Sequence, residues 1–233
     1  MSQTLRAPGV AESLDAMLSI RLEAQVNLIF YYSPNSIALA AHIVLDEIGA
    51  DYTAVKVDFG QNEQQSGHFK AINPKGRVPA LATECGILTE TPAILTYLAQ
   101  IFPESTLVPA NNPFLFAKIQ EFNAYLCATV HVAHAHKNRG RRWVDDEVAL
   151  AAIRKKVPES MEATCRLIED GLLQGPWVMG EHYTICDPYL FAVARWLEAD
   201  GVDATLRLPR IAEHRARMLA RPATARLMAE CYV

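Results

Sequence analysis

Two short stretches carry the groups best suited to hold a small charged peptide: Lys75–Leu81 (KGRVPAL) and Leu88–Ile94 (LTETPAI). Pro79 has no N–H to give to a ladder, so it belongs at the first residue of a strand or on an edge. The backbone beside Val78 is then open to an extended peptide pairing in strand fashion. After the Cys85-Gly86 turn, a helix is expected to begin near Glu90. Helix starts leave N–H groups free and carry partial positive charge, so they hold carboxylates. Thr91 adds a hydroxyl there, and Glu90 offers an anion to an ammonium group. Alone, Val78-Pro79 reads as the start of any strand and Glu90-Thr91 as any helix cap. Together they describe a receptor for a small zwitterionic peptide.

The run N-P-K-G-R-V-P-A-L (Asn73–Leu81) followed by L-T-E-T-x-A-I-L (Leu88–Leu95) resembles the glutathione-binding half of the glutathione transferases. The resemblance implies that Val78–Pro79 is a cis peptide and that the Val78 backbone pairs with the cysteinyl unit of glutathione. It further implies that Glu90 and Thr91 hold the γ-glutamyl end, that glutathione is the co-substrate, and that no metal is needed. The family turns glutathione's thiol into a thiolate and presents it to an electrophile. A free thiol has a pKa of about 8.5, so a donor and the positive end of a helix are needed to favour the anion at neutral pH.

The loop after the first strand supplies both, and four residues compete for the donor's role: Tyr32, Ser33, Asn35 and Ser36. Tyr32 precedes Pro34 as the tyrosine does in tyrosine-type classes, but also reads as a core aromatic at a strand end. Ser36 lies two residues after the proline, like the delta-class serine. Ser33-Pro34-Asn35 resembles the Thr-Pro-Asn loop of the nu class. Ser33 reads equally well as a turn residue before proline. Ile37 and Ala38 stand where the bacterial beta class has its cysteine and serine, so no mixed disulfide can form there. Ser36 and Asn35 are the preferred pair. His131, six residues after Tyr125, matches the beta-class histidine that overhangs the thiol, with His134 on the same helix face and His136 off it. Trp196 matches the tryptophan of a beta-class Arg-Trp pair and is expected to pack near the cleft. Lys137, Arg139, Arg141 and Arg142 cluster near a helix C-terminus, where cations are expected without any function. Their functional reading is a rim for an anionic second substrate or for the glycine carboxylate.

These residues must be positioned by two units. Residues 1–25 form an extension in which Leu14, Met17, Leu18 and Leu22 suit one face of a short helix. Strand Val26–Tyr31, a helix from Ile37 to Gly49, strand Tyr52–Val57, a polar helix over 61–71, strands at 78–83 and 86–89 and a helix over 90–102 make β-α-β-α-β-β-α, an order that resembles the thioredoxin-like fold. The α/β unit thus covers 26–102, a Pro/Asn-rich linker covers 103–112, and 113–233 is all-helical. Leu115, Ile119, Phe122, Leu126, Val130 and Ala133 recur at helical spacing. Thr184-Ile185-Cys186-Asp187 is a capping box that opens a core helix.

The bulk numbers narrow the function. The 233 residues carry 22 basic and 26 acidic side chains, which disfavours a nucleic-acid surface. Five dispersed cysteines without paired spacing suit reduced thiols in the cytoplasm, and no apolar run reaches membrane-spanning length. The leading expectation is a cytoplasmic, homodimeric glutathione transferase acting on a small hydrophobic or electrophilic substrate. A glutathione-dependent disulfide reductase, suggested by Ser33-Pro34-Asn35, and a glutathione-binding module without turnover are the alternatives.

Overall fold

The computed structural model describes residues 27–232; the expected helix within 1–25 lies outside them. Four strands form one sheet in the order β2-β1-β3-β4, where β1 is Leu28–Tyr32, β2 Tyr52–Lys56, β3 Ala80–Thr83 and β4 Gly86–Thr89. β1 and β2 are parallel, whereas β1/β3 and β3/β4 are antiparallel, with Phe30 opposite Leu81 and Leu81 opposite Leu88. A parallel pair needs a long crossover. α1 (Leu39–Glu47) provides it and stops at Gly49, whose φ of 64° a side chain would resist. α2 (Gly67–Ile72) is capped by the Ser66 hydroxyl and leads into β3. α3 (Thr91–Ile101) follows β4. The thioredoxin-like order expected from the sequence is therefore present, with β3 starting at Ala80 rather than Val78 because Pro79 cannot donate to the ladder.

The second half is helical. α4 (Pro113–Tyr125), capped by Asn112, passes through a π-helical turn (Leu126–Val130) into α5 (His131–Arg139). α6 (Glu147–Leu167) follows, capped by Asp146. α7 (Cys186–Ala194), α8 (Ala204–Arg207), α9 (Pro209–Leu219) and α10 (Pro222–Glu230) complete it. Every residue of α7 is buried, and the helix packs against α1, so one contiguous core joins the two halves. The box at its start is closed: Asp187 accepts from the Thr184 N–H at 2.7 Å, and Thr184 accepts from the Cys186 N–H at 3.3 Å. Asp187 also accepts from the Val178 N–H and meets His214 at 3.0 Å, which satisfies a carboxylate taken fully out of water.

Candidate functional site

A cavity of about 650 Å³ lies between the sheet's β1–α1 and α2–β3 loops on one side and the π turn and α5 on the other. Its α/β wall is built by three turns. Asn73 and Gly76 shape the first: the Asn73 amide donates to the Arg77 carbonyl at 2.6 Å, and Gly76 sits at φ 60°. A Cβ on Gly76 would stand 2.8 Å from the Gln64 carbonyl, so only glycine fits this close approach. That turn delivers Val78 and the cis Val78–Pro79 peptide to the cavity wall.

The second turn brings Glu90 and Thr91 to the start of α3. Glu90 takes φ 72°, a conformation that costs a non-glycine residue about 1–3 kcal/mol. Thr91 is buried and lines the cavity at the first residue of the helix. Lys75 is a member of this group that sequence reasoning passed over: its ammonium meets Glu90 at 2.8 Å and donates to the Thr89 hydroxyl at 2.5 Å. Both partners of that ion pair are about half exposed, so it contributes little to stability and stays open to exchange.

The third turn is the β1–α1 loop. Asn35 is in the left-handed region at φ 56°, tolerated by asparagine, and it lines the cavity with Ser36 and Ile37. The Asn35 carbonyl accepts from the Trp196 indole N–H at 3.3 Å, and its side-chain oxygen accepts from Arg195 at 3.4 Å. Ser36 donates its hydroxyl proton to the Ser33 carbonyl at 2.6 Å and accepts from the Ala38 N–H at 3.3 Å. The Ile37 N–H has no acceptor among the described residues and is free for an anion. Two of the four loop candidates are not brought to the cavity. Ser33 is buried behind the turn with its carbonyl spent on Ser36. Tyr32 points into the core, its ring against His42 and Tyr232. Burial, and then the neighbouring Cys231, push its phenol above the ordinary value. Tyr32 thus takes the core position that a strand-end aromatic suggests, and Ser33 that of a turn residue, so neither lines the cavity as a donor: strand alternation turns Tyr32 inward, to the face opposite Tyr31.

The helical wall carries Cys127, His131, His134 and Trp196. His134 stacks on Trp196 with ring centroids 4.0 Å apart, and its Nδ1 meets the fully buried Asp200 carboxylate at 2.6 Å. His131 stands 5.1 Å from the Trp196 ring. Its pKa is lowered to about 4, first by burial and then by the charges of His134, Arg139, Arg142 and Arg77, so the imidazole is neutral at pH 7. His136 turns away to Trp143, as its position on the helix predicts. Two features escaped the sequence: the place of Cys127, and the meeting of Arg77 with Arg139 and Arg142. Cys127 reaches the cavity, where it lies against the buried Tyr189 phenol. Arg139 and Arg142 line the mouth, together with Arg77 from the opposite side. Among the described residues no cluster of His, Cys, Asp and Glu is arranged to hold a metal ion.

The arrangement offers an extended backbone, a helix start with a hydroxyl, and a polar loop with a free N–H, all on one wall. The neutral His131 imidazole, the Asp200-paired His134 and an indole face them. Residues 26–100 match the family of the glutathione S-transferase N-terminal domain. The glutathione S-transferase GstA of Escherichia coli O157:H7 is 33% identical over 195 residues, covering 82% of this chain and 92% of that one. A maleylacetoacetate isomerase of Pseudomonas aeruginosa is 32% identical over 212 residues, covering 85% of this chain and 96% of that one. Among solved structures, a glutathione transferase homolog from Sulfitobacter with bound glutathione is 42% identical, covers 89% of this chain and all of its own, and superposes with a TM-score of 0.86.

Proposed function

Because this chain belongs to the glutathione S-transferase family, we propose that it binds glutathione along the α/β wall of the cavity and directs the thiolate at a small electrophile. The observation that carries the reading is the meeting of Val78, Thr91 and the Asn35–Ile37 loop on one wall of a single cavity. The Val78 backbone pairs with the cysteinyl unit, and Pro79 fixes the chain direction there. Thr91 and the start of α3 take the γ-glutamyl carboxylate, and Glu90 takes the ammonium in exchange for Lys75. The sulfur then falls at Asn35 and Ser36, where the Ile37 N–H adds a backbone donor. His131 and Trp196 cover it from the helical side. His131 is neutral and orients rather than neutralises.

The glutathione-binding unit is read as residues 26–102 and the electrophile-facing unit as 113–233, joined by 103–112. The protein is read as a cytoplasmic, homodimeric detoxifying enzyme, in keeping with its family and its five free thiols. Steady-state conjugation of glutathione to an aryl halide and to an activated alkene tests the transferase reading, alongside calorimetry with reduced and oxidised glutathione. Conjugation with saturable glutathione is expected. Tighter binding of the oxidised form without conjugation would replace the reading with disulfide reduction, and binding without either reaction would leave a binding module.

A further inference from the structure

Among the described residues, all but three arginines have an oxygen partner. Arg141 bridges Glu147, Arg221 holds Glu47 at 2.5 Å, and Arg154 donates to the Lys137 carbonyl at 3.1 Å. The other described arginines likewise have a carboxylate, amide or carbonyl oxygen. Arg77, Arg139 and Arg142 have none among the described residues, and all three line the same cavity.

Their setting makes this costly without a ligand. Among the described residues Glu90 is the only carboxylate on the cavity wall, and Lys75 already holds it. Arg77 stands close enough to disfavour the charge of Arg139 and of Arg142. Partial burial, and then Arg77, lower the pKa of Arg139; the same causes, with Arg139 added, lower that of Arg142. Like charges gathered in a cleft attract and concentrate anions, and a planar guanidinium matches a carboxylate with two parallel hydrogen bonds.

Glutathione alone does not use up this charge. In the reading above, one of its carboxylates goes to α3, which leaves the glycine carboxylate and the thiolate to face three cations. Position separates the cations too. Arg77 precedes Val78 and belongs to the peptide's wall. Arg139 ends α5 and Arg142 lies in the following turn (Gly140–Arg142), beside the half-exposed Trp143 that also lines the cavity. Two guanidiniums beside an indole suit an aromatic or apolar body that bears an acid.

We propose that Arg139 and Arg142, with Arg77 across the mouth, form a carboxylate subsite, so that the electrophile conjugated here is an aromatic or apolar carboxylic acid. The substrate class rests on the transferase reading; the subsite itself does not.

The test separates the two. Calorimetry compares S-(4-carboxybenzyl)glutathione with its methyl ester, so the glutathione anchor cancels in the ratio. The carboxylate should bind at least fivefold tighter, with the ratio shrinking as salt rises. In Arg139→Gln/Arg142→Gln the ratio should fall below twofold. A wild-type ratio under fivefold, or one that survives in the double variant, overturns the subsite. The wild-type ratio alone decides the matter if the variant fails to fold. Glutathione disulfide is titrated alongside. If it loses affinity in the double variant while the carboxybenzyl conjugate does not, the carboxylate served is a second glutathione's, and the electrophile assignment falls. Turnover of 4-(bromomethyl)benzoate and its methyl ester judges the chemistry separately. The thiolate sulfur forms a bond to the benzylic carbon as the C–Br bond breaks, and bromide leaves with the electron pair. A preference for the benzoate in kcat/KM supports the substrate class, and an equal or greater rate with the ester overturns it. Conjugation of neither probe counts against the transferase reading, and the binding ratio still decides the subsite.

Discussion

Replacing Ser36 by alanine should raise the pKa of the bound glutathione thiol by about one unit. The size follows from where the hydroxyl proton already is. A serine has one O–H, and that of Ser36 is donated to the Ser33 carbonyl at 2.6 Å. To serve a thiolate it must leave that acceptor. A hydrogen bond to a charged group contributes roughly 1.5–3 kcal/mol and a neutral one roughly 0.5–1.5, so the exchange yields about 1–1.5 kcal/mol. At 1.36 kcal/mol per unit this is close to one pKa unit. The remainder of any larger shift must come from Asn35, the Ile37 N–H and the start of α1. The assay is the thiolate's ultraviolet absorbance, titrated with pH at saturating glutathione in wild-type and Ser36→Ala protein. Glutathione affinity should barely change, because Val78 and Thr91 are untouched, and turnover at neutral pH should fall by up to about tenfold, in step with the thiolate fraction. No shift would mean that the hydroxyl never leaves the Ser33 carbonyl and that backbone donors alone hold the sulfur. A shift of two units or more would mean that the hydroxyl was never committed to Ser33. Loss of the thiolate signal in Tyr32→Phe but not in Ser36→Ala would refute the placement of the whole loop.

Thr91→Ala should weaken glutathione binding by about 1.5–3 kcal/mol through one lost charge-assisted hydrogen bond; unchanged affinity in calorimetry would remove Thr91 from the site. Incubation with glutathione disulfide should leave residues 33–38 unmodified, since they contain no thiol, and any adduct inside the cavity should map to Cys127; peptide mapping that puts the adduct in 33–38 would contradict this. Acid should destabilise the fold through His42, which is buried and whose pKa is lowered to about 4. Between about 6.5 and 4 the unfolded chain binds the proton that folded His42 refuses, so stability is full above that window and falls by about 3 kcal/mol as pH drops through it. Urea unfolding across the window should show a shallower slope in His42→Gln, and an identical slope would assign the acid sensitivity elsewhere.

The order of strands and helices was legible because it is written in local signals. Pro79 at a strand start, Gly49 after a helix, Asn112-Pro113 ahead of one and the Thr184–Asp187 box each act within a few residues. The positions of Glu90 and Thr91 on the cavity followed from a helix start read in the same way, whereas those of His131 and Trp196 rested on the resemblance to the family. What escaped depends on distant partners. The convergence of Arg77 with Arg139 and Arg142 joins residues from both halves of the chain, and a helix C-terminus explained the latter two well enough alone. The pairing of His134 with Asp200 spans 66 positions. Cys127 was missed for a geometric reason: the π turn at Leu126–Val130 spends an extra residue per turn and re-aims the side chains that follow from a plain 3.6 repeat. The fate of the Ser36 proton depends on a backbone carbonyl three residues away, which composition cannot reveal.

The hold of Arg195 and Trp196 on Asn35 bears on how this protein can be taken apart. The loop expected to cradle the sulfur owes its outer hydrogen bonds to residues 160 and 161 positions downstream. An α/β half excised after residue 102 would lose that grip and, with it, the cover that α7 gives to α1. Chimeras that exchange halves between relatives inherit the same dependence. The end of α7 must travel with the β1–α1 loop, since together they form one unit of heredity that the chain order does not mark.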